Sequence, residues 1–133
     1  MKFYLASSWK SRERAALVAS TIESFIDLKL ESTSTWLDLA LSEEGMSEKE
    51  VALRDCYDIQ RAPLFIFMES GIPSAGRFWE LGYSTALSQL TPRTNIYLNI
   101  SSKPKMTTIF TDLCDHKVYN FFELYELLWQ LTK

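Results

Sequence analysis

Five consecutive large apolar residues, Leu64 to Met68 (LFIFM), constrain the fold of this chain more than any other stretch. A strand with one wet face alternates apolar and polar side chains, whereas an unbroken run requires cover on both faces. Pro63 stands just before the run, where a missing N–H costs least. The segment therefore reads as the central strand of a parallel sheet, and the rest of the chain must supply flanking strands and two layers of helices.

The periodicities on either side meet that demand. KFYLA, from Lys2, is a short apolar strand, and from Ser11 onward Ala15, Val18, Ala19, Ile22, Phe25 and Ile26 recur at helical spacing. LKLESTSTWL is β-rich but alternates with polar residues, which predicts a strand near an edge. Ser47 and Glu50 have the spacing of a capping box that opens a helix running to about Ile59. Beyond the central strand come the loop ESGIPSAG, a helix from about Phe78 to Ser88, and a fourth strand in NIYLNI. PKMTTIFTDL suggests a short helical turn, KVYN a fifth strand, and Asn120 with Glu123 caps a last amphipathic helix, FFELYELLWQL. Strands alternating with helices predict a flavodoxin-like, Rossmann-like three-layer α/β sandwich with a five-stranded parallel sheet.

Length and charge narrow the function. The 133 residues are 47% hydrophobic, enough for one domain spanning 1–133. A net charge of −3 with acids and bases intermixed leaves no basic stripe for nucleic acid and no basic amphipathic helix for a membrane. With no membrane-length apolar run and no signal-like h-region after Met1-Lys2, a cytoplasmic protein is expected. Cys56 and Cys114 read as structural thiols, and a lone His116 completes no metal cluster, so neither metal nor cofactor is expected.

In sheets of this kind ligands bind beyond the carboxyl ends of the strands, where strand order reverses. That rule selects ASSWKSR after the first strand, TWLDL after the second and ESGIPSAGRFWE after the third. In the last, the backbone N–H groups from Ser74 to Phe78, including those of Gly76 and Arg77, lie at a helix start where they can cradle an anion. The positive end of the helix dipole is expected to keep Glu80 ionised, as a nucleophile or cation stabiliser or simply as a dipole complement on a wet face. Ser7, Ser8, Lys10 and Arg12 can bind phosphate or serve as ordinary caps and surface charge. Asp55 and Asp58, three apart on one helix, suit an acid and its orienting group, or that helix's polar side. Trp36 reads as core before a base-stacking platform.

The segments FYLASSWKSRERA, TSTWLDL, LRDCYDIQRAPLFIFM, SAGRFWELGYSTAL, IFTDL and VYNFFELYELL together resemble, in order, the nucleoside 2-deoxyribosyltransferase-like family, especially its short bacterial and phage members. The most specific parts are the Tyr-Leu-Ala-Ser start, the Asp ahead of the central strand and the Gly-Arg-x-x-Glu-x-Gly-Tyr segment.

That resemblance implies a flavodoxin-like fold and cleavage of the N-glycosidic bond of a nucleoside or nucleotide, with the sugar passed to water or to another base. It places the catalytic glutamate on Glu80, the base-side acid on Asp55 and the first-strand tyrosine of the N-hydrolase branch on Tyr4. It places phosphate binding on Ser8 and Lys10, and the serine of the 5′-monophosphate N-hydrolases on Ser74, where transferases carry an aspartate. A small-molecule nucleotide partner, no cofactor and a homodimer or larger homo-oligomer are implied with it. The chain departs from the family pattern at Ala62-Pro63, at Ala75 before Gly76, and in SQLTPRT, which lacks the usual lysine. Two alternatives remain beside this reading: a nucleotide-binding module without turnover, and an NAD glycohydrolase like the Toll/interleukin-receptor domains, which also set a glutamate on such a sheet.

Overall fold

The computed structural model describes residues 1–38, 43–105 and 109–133. Strands β1 (Lys2–Ala6), β2 (Glu31–Ser32), β3 (Leu64–Met68), β4 (Thr94–Leu98) and β5 (His116–Val118) alternate with helices α1 (Arg12–Glu23), α2 (Glu48–Gln60), α3 (Gly76–Leu87) and α4 (Phe121–Thr132). The sheet is parallel throughout, in the order β2-β1-β3-β4-β5. Helices cover both faces, giving the three-layer flavodoxin-like architecture.

β3 lies in the middle and every one of its residues is buried, as its unbroken apolar run requires. Tyr4 pairs with Phe65 on one side and Phe67 with Tyr97 on the other, so aromatic side chains line the sheet from β1 to β4. The Ser47–Glu50 capping box is formed at the start of α2, and Asn120 Oδ1 accepts from Glu123 N at 2.8 Å at the start of α4. PKMTTIFTDL yields a 3-10 helix over Ile109–Leu113, while 106–108, like 39–42 of the TWLDL region, fall outside the described residues.

The β-rich stretch after Leu28 departs from expectation, for only Glu31 and Ser32 pair as strand. Its hydroxyls take over where the strand would continue. Ser34 Oγ accepts from Leu5 N at 2.7 Å, Thr33 Oγ1 donates to the Asp58 carbonyl at 2.7 Å, and Asp58 Oδ2 accepts from Thr35 N at 3.0 Å. These side-chain bonds compete with ladder pairing and turn the chain into the 3-10 helix Thr35–Leu37.

Arg93, just ahead of β4, ties three elements together. Its Nη2 donates to the carbonyls of Ile59 and Ala62 at 2.7 and 2.8 Å, and its Nε to Ser84 Oγ at 3.2 Å.

Candidate active site

Strand order reverses between β1 and β3, because β1 leads outward to β2 while β3 leads to β4. Their carboxyl ends open a cleft of about 220 Å³ there, as the rule for open α/β sheets demands. Tyr4 and Ser7 reach it from β1 and the loop beyond, Asp55 from α2, and Ser74, Gly76 and Glu80 from the β3–α3 segment. Residues far apart in sequence thus meet where the topology places a ligand.

Helix α3 begins at Gly76, two residues earlier than the sequence suggests, so Glu80 opens the second turn and its first turn holds no acid. Two expectations change with this. Glu80 does not complement the dipole, an effect confined to the first turn, and it is not held ionised. Burial pushes its carboxyl up to about 8. The hydrogen bond from Tyr4 works against that rise, and the nearby Asp55 and Asp58 add to it. The Tyr4 hydroxyl donates to Glu80 Oε2 from a side chain wholly out of water. Burial first, then the Glu80 and Asp55 charges, hold that phenol well above the ordinary tyrosine range, so it remains a donor.

Asp55 also carries a raised pKa, about 6, again mainly from burial, while the Arg54 guanidinium beside it pulls the other way. Arg54 Nη2 lies 2.8 Å from Glu43 Oε2 and 3.4 Å from Asp55 Oδ1. Asp58 has a different employment from the one its spacing suggests. Its carboxylate is 1% exposed and binds Thr35 N and Arg61 Nη2, at 3.0 and 3.1 Å. It pins the turn after β2 to α2 and does not line the cleft.

The residues assigned to phosphate divide. Ser7 and Ser74 line the cleft, as does the start of α3, where the Phe78 N–H already donates to the Ala75 carbonyl at 3.1 Å and those of Gly76 and Arg77 have no acceptor in the helix. Ser8 is buried and its hydroxyl donates to Ser11 Oγ at 3.0 Å. Lys10 is not among the residues lining the cleft and borders an adjoining surface depression that shares Trp9 with it. Arg12 holds the Trp36 and Asp38 carbonyls at 2.7 and 2.9 Å. Arg77 borders the cleft, but its guanidinium is bound beneath it by Glu69 and Ser70.

The sequence reads Trp36 as core before a base-stacking platform and singles out Glu43, Arg54 and Glu69 for no role here. Trp36 is core by burial, at 7% exposed, and donates its indole N–H to the Leu5 carbonyl at 2.9 Å. It nevertheless borders the cleft, with the exposed Trp9 ring 6.3 Å away. Glu43 and Arg54 also border it. Glu69, fully buried at the end of β3, carried one readable signal: an acid directly after an unbroken apolar run is costly unless a cation meets it. Cys56 and Cys114 are free thiols, and His116 lies at the exposed start of β5.

A parallel three-layer α/β sheet with two carboxyl groups of raised pKa and a tyrosine at its switch point defines the class of site. No family model matches the chain, and no curated protein matches it. Two solved structures are similar over nearly the whole length of both chains. A conserved protein from Enterococcus faecalis V583 superposes with a TM-score of 0.73 at 16% identity, covering 98% of each chain. The Clostridium botulinum CMP N-glycosidase BcmB superposes with a TM-score of 0.59 at 18% identity, again covering 98% of each. Likeness at such identities shows that the fold is shared.

Proposed function

We propose that this protein cleaves the N-glycosidic bond of a nucleoside 5′-monophosphate or nucleoside, with Glu80 as the carboxylate facing the sugar and Asp55 as the acid on the base side. The observation that carries this reading is the meeting of Tyr4, Glu80 and Asp55 in one cleft at the switch point, with the Tyr4 hydroxyl bonded to Glu80. The sequence resemblance and the fold shared with a CMP N-glycosidase support it.

The chemistry asks for two different acids. Breaking the C1′–N bond builds oxocarbenium character on the sugar, which an ionised Glu80 stabilises or captures as a glycosyl ester. The departing base takes a proton from Asp55. With values of about 8 for Glu80 and about 6 for Asp55, most unliganded molecules near neutrality hold the opposite arrangement. The productive form is the minor one of the two singly protonated arrangements. Positive charge growing on the sugar favours ionised Glu80, and the Tyr4 hydroxyl solvates that carboxylate without admitting water.

A 5′-phosphate fits the end of the cleft where Ser7, Ser74 and the start of α3 lie. This is a smaller set than the sequence offered, since Ser8 and Lys10 stand apart from it. A homo-oligomer belongs to the same reading. The exposed side chains of Leu53 and Tyr57 on α2 and of Trp79 on α3, 57%, 61% and 60% accessible, supply apolar surface for a second copy. Sedimentation of the parent and a Trp79→Ser variant tests that part, and a parent that sediments as a monomer removes it.

The deciding experiment incubates the protein with nucleosides, their 5′-monophosphates and NAD, and follows released base by chromatography. Release from monophosphates, absent with Glu80→Gln, is the expected result. Tight nucleotide binding without release favours the binding module, and release of nicotinamide alone favours the glycohydrolase.

A further inference from the structure

Arg77 precedes Glu80 by three residues on α3, and its side chain is entirely out of water, as is that of Glu69. Such a pair gives little net stability, because removing two charges from water offsets their attraction. Its Nε, moreover, has no acceptor among the described residues. What the pair fixes is position. Arg77 Nη2 donates to Glu69 Oε2 at 3.1 Å and Nη1 to Ser70 Oγ, while the guanidinium carbon lies 5.2 and 5.1 Å from the ring centres of Phe67 and Phe78. Glu69 also accepts from the backbone N–H of Ser70 at 3.2 Å and from the Tyr97 hydroxyl at 3.2 Å. Through Tyr97, the ends of β3 and β4 and the first turn of α3 form one buried network directly under the cleft.

We propose that Arg77 is a positioning residue for Glu80: its pairing with Glu69 sets the rotation of the first turn of α3 about the end of β3, and thereby directs the Glu80 carboxylate onto Tyr4. Glu80 follows Arg77 by less than one helical turn, so a change in the roll of that turn moves the carboxylate directly. The loop between Glu69 and Arg77 carries Ser74, so the same pair holds that hydroxyl at the cleft.

Two variants test this, Glu69→Gln/Arg77→Met, which removes both charges together and leaves neither stranded, and Arg77→Lys. The first readout is the carbon-13 titration of the Glu80 carboxyl, which needs no activity. Tyr4, Asp55 and Asp58 are the titratable groups acting on Glu80, and none of them is altered. The expected result is a folded double variant in which the Glu80 midpoint falls from about 8 toward ordinary glutamate values as the carboxylate turns to water. Arg77→Lys keeps the charge but not the fork, and is expected to lie between parent and double variant. The second readout rests on the proposed glycosidase activity: kcat for base release falls by about tenfold or more with KM changed by less than about twofold. A folded variant with an unmoved Glu80 titration overturns the inference, whatever its activity. Failure of both variants to fold overturns it also, since the pair would then hold the fold and not the carboxylate. A moved titration in a protein whose parent releases no base supports the positioning role and removes the glycosidase reading.

Discussion

The Tyr4 hydroxyl and the Glu80 carboxylate, 76 residues apart in sequence, share a hydrogen bond between the first strand of the sheet and the helix after its central strand. Because that bond favours the ionised form, Tyr4→Phe is expected to raise the Glu80 pKa further above 8. Activity near neutral pH should fall by about ten- to a hundredfold, and the alkaline limb of the pH profile should move to higher pH. Steady-state rates across the pH range check this, and an unchanged profile assigns Tyr4 to packing alone.

Glu80→Gln should abolish base release, by about a hundredfold or more, in a protein that keeps its fold. It also carries a stability signature of definite sign. The folded pKa of Glu80, about 8, lies above its ordinary value of 4.5, so its contribution is fully present below 4.5 and is lost as pH rises through 8. The variant, which has no proton to lose, should match the parent near pH 4.5 and exceed it by on the order of 4 to 5 kcal/mol near pH 9. Urea unfolding at both pH values measures the difference, and equal stability at the higher pH would contradict the buried placement.

The parent's kcat/KM should trace a bell with limbs near 6 and 8, values that belong to the Asp55–Glu80 pair jointly. Asp55→Asn removes the general acid and with it the alkaline fall. A single rising limb should remain, its midpoint below 8 because the Asp55 charge no longer opposes ionisation of Glu80. A retained alkaline limb would show that another group gives the proton.

If the 5′-phosphate sits by Ser74, Ser74→Ala should lower kcat/KM for a monophosphate by about five- to tenfold and leave the matching nucleoside almost unaffected. Lys10→Ala, at a site outside the cleft, should change either substrate by less than about twofold. The reverse pattern would return the phosphate to the loop after β1.

The apolar run of β3 and the caps of α2 and α4 made the architecture readable, since each is a local rule that the packed sheet also obeys. The edge strand was less readable. Serine and threonine hydroxyls at 33–35 can join a ladder or replace it, and only the position of Asp58 decides between the two. At the cleft, residue types were visible but their electrostatics were not. The protonation of Glu80 depends on how deeply α3 is packed and on where that helix starts, and a shift of two residues turned a dipole partner into a buried acid. The employment of Arg77 was hidden for a related reason. A guanidinium near a ligand loop looks like an anion receptor until its carboxylate partner is located in space.

Arg93 has a consequence for how the molecule opens. By bonding the carbonyls of Ile59 in α2 and Ala62 just beyond it and reaching Ser84 on α3, which itself donates to Asn95 of β4 at 2.6 Å, one side chain adds groups from distant parts of the chain to the backbone bonds that already close the end of α2. The last turn of α2 therefore cannot fray by itself. Its amides should exchange with solvent deuterium at rates close to those of α3 and β4, and Arg93→Ala should uncouple them, so that the helix bearing Asp55 breathes independently of the helix bearing Glu80.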